Sequence, residues 1–126
     1  MGLFDKFKKI EKKQFWTIRL DNNEYDIEHP DEFFINFDGA LTDLEMGELP
    51  FIVLSPPSPI NGICFLQVAQ NENSLMHVEA GMIESQKNNN VKVLYKENLS
   101  TGEVLDTFIL FFGKGELNIS GWKELE

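Results

Sequence analysis

Residues 60–70, INGICFLQVAQ, are the most core-like segment of the chain. In a β-strand, successive side chains point to opposite faces of the sheet. Alternation therefore places Ile63 and Phe65 on one face and Cys64, Leu66 and Val68 on the other. Both faces are apolar, so we expect a strand covered by protein on each side, with Cys64 packed in the core as an unreactive thiol.

Further segments rich in β-branched and aromatic residues precede and follow this strand, and turn-forming residues separate them. The predicted strands lie at residues 15–20, 25–30, 33–37, 51–54, 75–84 and 91–96, and residues 116–126 form a short terminal strand or a tail with Trp122 as its anchor. Residues 40–49 are ambiguous, because Leu41 and Leu44 suggest one helical turn. The pattern predicts an antiparallel meander of five to seven strands.

The period of the apolar residues changes in the last third of the chain. Ser100 or Thr101 can cap a helix, and Glu103 lies in its first turn, where the helix dipole favours a carboxylate. Apolar residues then recur at helical spacing, and Gly113 is expected to end the helix; they are Val104, Leu105, Phe108, Ile109, Phe111 and Phe112. A strand over residues 107–112 is the competing interpretation. We predict an α+β domain over residues 14–126, with this helix packed on one sheet face.

Residues 1–13 form a separate lysine-rich arm. Leu3, Phe4, Phe7 and Ile10 have helical spacing, and five lysines against Asp5 and Glu11 give the arm a charge of +3. The pattern predicts a short amphipathic helix. Three alternatives remain open, namely docking of the arm on the body of the domain, contact with an anionic membrane surface, and a frayed tail.

The chain is acidic outside this arm. Its 126 residues carry a net charge of −10, so the 113 residues that follow the arm carry −13. Such a body repels nucleic acid and attracts basic protein surfaces. The sequence contains one cysteine, no apolar run near the ~20 residues that span a bilayer and no signal-peptide pattern at residues 1–13. We therefore expect a cytoplasmic protein without disulfides.

Few residues suggest catalysis. His77 and Glu79 are two apart on one strand face, a spacing at which the two side chains can converge on a metal or form an oriented base. A metal site needs at least three ligands, and the sequence offers no second clear pair. No Walker, dinucleotide or nucleophile motif is present. We therefore predict a non-enzymatic protein with no cofactor and no metal, and an enzyme that uses His77 and Glu79 is the less favoured alternative.

The C-terminal third resembles the ends of several small acidic bacterial immunity proteins, which neutralise toxins encoded beside them. The resemblance lies in the arrangement of three segments, at residues 91–95, 101–113 and 121–123. It implies a stoichiometric protein inhibitor without a cofactor. That group is diverse in fold, so the resemblance assigns no binding residue.

A protein interface requires exposed charge beside apolar anchors. We predict that the acidic side chains between positions 38 and 48, together with the aromatic segment at 33–37, bind a basic toxin surface. The candidates are Phe33, Phe37, Asp38, Asp43, Glu45 and Glu48. The alternative is a small accessory protein that the arm docks to a membrane surface or to an acidic partner. An exposed edge strand also permits a homodimer.

Overall fold

The computed structural model describes residues 14–85 and 90–125, and these form an α+β domain. The strands of its sheet are β1 (Trp16–Leu20), β2 (Asn23–Ile27), β3 (Ile52–Ser55), β4 (Ile63–Gln70), β5 (Met76–Ser85), β6 (Asn90–Leu99) and β7 (Lys123–Glu124). A 3-10 turn (Pro30–Glu32) leads into helix α1 (Phe33–Glu45), and helix α2 (Thr101–Lys114) connects β6 to β7. Within the described residues, no helix is long and apolar enough to cross a membrane.

The sheet is antiparallel throughout, with the order β2-β1-β3-β4-β5-β6-β7. The predicted antiparallel sheet and C-terminal helix are therefore confirmed, whereas the predicted N-terminal helix lies outside the described residues. The sheet departs from a simple meander because β2 and β3 pair with opposite sides of β1. Helix α1 makes the crossover between them.

Both helices pack on one face of the sheet. The buried strand residues Leu66, Val68 and Val78 meet Phe37 and Phe108 of the two helices in a single core cluster. The rings of Phe37 and Phe108 stack with centroids 4.7 Å apart, which joins α1 to α2 above the sheet. Arg19, Val53, Gln67 and Glu79 follow one another across neighbouring strands on the opposite face.

The register of β4 differs from the predicted alternation. A bulge lies between Ile63 and Phe65, so Ile63 is buried in the core, whereas the ring of Phe65 lies against Gly81. Strict alternation predicted that these two side chains share a face, and the bulge places them on different faces. A bulge inserts one extra residue into a strand and changes its alternation, and this depends on the partner strand rather than on the sequence of β4 alone.

Helix α1 corrects two predictions. Residues 33–37 were expected to be a strand and residues 40–49 an ambiguous stretch, but one continuous helix spans Phe33–Glu45. Its buried residues have the spacing of one helix face; they are Phe33, Phe37, Ala40, Leu41 and Leu44. Burial of this whole stripe outweighs the β-propensity of its phenylalanines, because propensity is a weak term beside tertiary packing.

Helix α2 confirms its predicted start and corrects its predicted end. Ser100 is the N-cap, and it forms a capping box with Glu103. The helix continues through Gly113 and ends at Gly115, which has the left-handed conformation of a C-cap, with φ of 67°. The strand alternative for residues 107–112 is therefore wrong. After the helix, Trp122 packs against the core beside the short strand β7.

Candidate functional site

A cleft of about 650 Å³ lies between the β1–β2 hairpin and α1. Ile18 and Leu20 of β1, Ile27 of β2, and Phe33 and Ala40 of α1 contribute its apolar lining. The crossover from β2 to β3 creates this cleft, since it lays α1 beside the hairpin at the outer end of the sheet. Stacking of Phe33 on Phe112, with centroids 4.1 Å apart, holds the start of α1 against α2.

The polar lining of the cleft is strongly acidic. Asp26, Glu28, Glu32 and Asp43 all line it and are all exposed to solvent. In the described part of the chain, His29 and Tyr25 are the other ionisable side chains of the lining. An apolar floor with carboxylates around it suits a ligand that is both apolar and positively charged.

The charge of this region comes from an uneven sequence. Residues 20–85 contain 13 carboxylates and no lysine or arginine, and ten of the carboxylates fall between residues 21 and 48. The described lysines of the body lie on β6, α2 and β7; they are Lys92, Lys96, Lys114 and Lys123. Negative potential is therefore concentrated at the end of the sheet that carries β2 and α1.

The structure places the predicted interface residues in two different environments. Asp38, Asp43, Glu45 and Glu48 are exposed on α1 and on the turn that follows it, and Asp43 also lines the cleft. None of the four has an ion-pair partner among the described residues.

The two predicted aromatic anchors are buried instead. Phe33 and Phe37 are 4% and 0% exposed, and their rings stack with centroids 5.4 Å apart. They were predicted as anchors on a strand beside the acidic residues, whereas the helix turns both side chains toward the core. In this conformation they support the surface from below and offer a partner no contact area.

Different apolar residues are exposed here. Tyr25 of β2, Phe34 and Ile35 of α1, and Met46 directly after α1 are each more than half exposed. These are four of the eight large hydrophobic residues that are exposed in the described part of the chain. Sequence reasoning missed Phe34 and Ile35 because their exposure becomes evident only once residues 33–45 are treated as a helix, whose buried stripe leaves these two positions outside. We call the exposed carboxylates and apolar residues of this region the acidic surface; its members are Tyr25, Asp26, Glu28, Glu32, Phe34, Ile35, Asp38, Asp43, Glu45, Met46 and Glu48.

His77 and Glu79 do converge, on the sheet face opposite the helices. His77 Nε2 lies 3.0 Å from Glu79 Oε2, and His77 Nδ1 lies 3.8 Å from Glu97 Oε1. The imidazole also stacks on Tyr95, with centroids 5.4 Å apart. Among the described residues, no group of three or more potential ligands is placed to hold a metal ion. The cluster therefore orients His77 by hydrogen bonding and ring stacking.

Cys64 is half-buried and lies outside the core cluster, so its predicted place in the core is corrected. Its Sγ donates a hydrogen bond to the Gly81 carbonyl oxygen over 3.4 Å. Burial raises the pKa of the thiol, so the nucleophilic thiolate is disfavoured at neutral pH. This environment suits a packing role for the side chain.

No protein-family model, curated protein or solved structure matches the chain. The resemblance of the C-terminal third to immunity proteins therefore stays a prediction.

Proposed function

We propose that the chain is a non-enzymatic protein-binding module that acts in the cytoplasm as an immunity-type inhibitor of a toxin. In this proposal the acidic surface binds a basic region of the toxin and covers it without chemical change to either protein. The inhibitor needs no cofactor or metal, and its acidity disfavours direct contact with nucleic acid.

One observation supports this proposal above the others, namely that carboxylates and apolar side chains occur together on the acidic surface. Carboxylates steer a basic partner into contact and raise the association rate at low salt. Aromatic side chains near the centre of an interface supply most of its binding free energy. Tyr25 and Phe34 replace the buried Phe33 and Phe37 as the proposed anchors, and Ile35 and Met46 add apolar area beside them.

The test is capture of partners from the native cell lysate by the tagged chain, at low and at high salt. A first variant neutralises four carboxylates of the acidic surface by the substitutions Asp38→Asn, Asp43→Asn, Glu45→Gln and Glu48→Gln. A matched control removes the same charge from exposed positions elsewhere, by Glu72→Gln, Asp106→Asn, Glu116→Gln and Glu124→Gln. Each captured protein is identified by mass spectrometry and assayed for enzymatic activity with increasing amounts of the purified chain.

We expect the wild type and the control to retain one basic protein in near-equal amount, and we expect high salt to weaken its capture. The first variant should lose it, and the activity of the partner should fall to a minimum at an equimolar ratio. The proposal is wrong if the wild type retains no partner at either salt concentration. It is also wrong if both variants lose the partner equally, or if the activity of the captured protein does not change.

A further inference from the structure

The cleft between the β1–β2 hairpin and α1 has the properties of a receptor for a lysine-rich amphipathic segment. We propose that its occupant is residues 1–13 of the same chain. This inference concerns the chain alone and holds whether or not the acidic surface binds a toxin.

The charges of the two surfaces are complementary. Residues 1–13 carry five lysines and a charge of +3. The cleft presents Asp26, Glu28, Glu32 and Asp43, and no lysine or arginine among the described residues lines it. Each of these carboxylates is exposed, so a lysine can approach without loss of most of its hydration. The attraction is correspondingly sensitive to salt.

The apolar residues of the two surfaces are also complementary. Leu3, Phe4, Phe7 and Ile10 recur at the spacing that gives a helix one apolar face. The cleft offers Ile18, Leu20, Ile27, Phe33 and Ala40 as its floor, with Ile35 at its side. An amphipathic helix that lays its apolar face into a hydrophobic groove is a recurrent mode of peptide recognition. A helix of this length is marginal in water alone, so the groove would also supply the packing that such a helix needs.

The described part of the chain begins beside this cleft. Trp16 at the start of β1 pairs with Ile27 of β2. Ile27, Glu28 and His29 all line the cleft, so the residues just before Trp16 enter the sheet beside its lining. A 13-residue helix is ~20 Å long and an extended segment is about twice that length. A segment of this length, joined to β1 beside the cleft, can therefore reach the cleft without a further linker.

Where the proposed function holds, the same contacts make residues 1–13 a competitor of the basic partner. The segment and the partner would then use the same carboxylates, and a partner must displace the segment. Weakly basic proteins would bind less well than the exposed charge predicts. This consequence rests on the proposed function, whereas occupation of the cleft does not.

Paramagnetic relaxation in the full-length chain tests the proposal. Asp5→Cys supplies a labelling position in the segment, and Cys64→Ser removes the native thiol while keeping a hydrogen-bond donor for Gly81. A nitroxide on residue 5 broadens the methyl signals of nearby residues in a chain with labelled isoleucine methyl groups. The same sample after reduction of the nitroxide is the diamagnetic reference. A cleft variant combines Asp26→Asn, Glu28→Gln, Glu32→Gln and Asp43→Asn, and its matched control is the set of four distant substitutions used above.

We expect broadening of the Ile18, Ile27 and Ile35 methyl signals, and none at Ile83 or Ile119, which do not line the cleft. The broadening should be lost in the cleft variant and kept in its control. Broadening confined to other methyl groups, or absent from all of them, would overturn the proposal. Retention of the broadening in the cleft variant would do the same. A mixture of nitroxide-bearing unlabelled chain and methyl-labelled chain without nitroxide should show no broadening, and an effect there would assign the occupant to a second copy.

Discussion

Helices α1 and α2 pack side by side on the sheet, yet they begin differently. Helix α2 begins at a capping box between Ser100 and Glu103, and it ends at the left-handed Gly115 with Lys114 in its last turn. Helix α1 follows Glu32, which makes no capping hydrogen bond through its side chain. Its first turn has no acidic residue and its last turn has no basic one. Helix α1 therefore lacks the side-chain cap that starts α2, whereas both helices end beside a glycine in the left-handed conformation, which after α1 is Gly47 with φ of 80°.

This difference shows what stabilises α1. Its buried stripe contributes most of its stability, because the rings of Phe33 and Phe37 stack on each other and on α2. The outer side of α1 has no structural task of this kind. That side carries the exposed Phe34, Ile35 and Asp38, so the candidate interface lies on the helix that depends most on tertiary contacts.

The substitution with the largest expected effect removes the contact between the two helices. Phe37→Ala should lower the free energy of unfolding by about 3–5 kcal/mol, because it removes a fully buried ring and leaves a cavity against Phe108. Phe34→Ala, on the exposed side of the same helix, should change it by about 0.5 kcal/mol or less. Urea denaturation followed by circular dichroism measures both.

Equal effects of the two substitutions would show that α1 does not bury the stripe described above. Phe108→Ala provides a check from the other helix, and its cost should be similar. The double variant should lose less free energy of unfolding than the two single variants lose in total, since both substitutions remove the same stacked pair.

The same contrast explains how far the sequence predicts this fold. Ser100, Glu103 and a following apolar stripe locate α2 because every signal is local. Residues 33–37, FFINF, have no side-chain cap before them, and they combine β-propensity with a helical period that becomes clear only with Leu41 and Leu44. The bulge in β4 depends on the register of β5, which no local pattern encodes.

The candidate site was predictable only in part. The acidic residues of α1 are evident from composition, and the structure confirms their exposure. The cleft requires the crossover that brings the hairpin beside α1, so residues distant in sequence, such as Ile18 and Asp43, become neighbours only in the fold. The exposure of Phe34 and Ile35 depends on the helix, so it was missed when residues 33–37 were predicted to be a strand.

Two substitutions with smaller expected effects compare the starts of the two helices. Ser100→Ala should lower the free energy of unfolding by about 1 kcal/mol, because the Glu103 amide loses the hydroxyl that accepts its hydrogen bond. Glu32→Ala should leave it nearly unchanged, since the Glu32 side chain caps nothing. Thermal unfolding of both variants beside the wild type measures the difference. A cost at Glu32 as large as that at Ser100 would contradict the view that α1 starts without a side-chain cap.

The interior of α1 offers a gain rather than a loss. Gly39 lies in mid-helix, and an added Cβ would meet no atom within 4 Å. Gly39→Ala should therefore raise the free energy of unfolding by about 0.5–1 kcal/mol through reduced backbone entropy of the unfolded chain. Gly115→Ala is the opposing control at the end of α2, where a φ of +67° disfavours any side chain. Denaturation curves should shift in opposite directions for the two, and a shift of Gly39→Ala toward instability would show that α1 is not helical there.

The smallest expected effect is the pH dependence of the α2 cap. Hydrogen bonds from the Ser100 backbone N–H and hydroxyl hold the pKa of Glu103 below its ordinary value. A lowered folded-state pKa contributes stability above the unfolded-state pKa, and this stability is lost as the pH falls through the folded-state pKa. Glu103→Gln keeps a capping side chain without the charge, so the wild type should be the more stable at neutral pH and the difference should vanish in acid.

Glu45→Gln, in the last turn of α1, is the contrasting variant. At neutral pH this variant should be more stable than the wild type, because a carboxylate at the C-terminal end of a helix interacts unfavourably with the helix dipole. Urea denaturation of both variants and the wild type, from neutral pH to acid, measures these differences. If the wild type stays more stable than Glu103→Gln in acid, the contribution of Glu103 does not come from its charge.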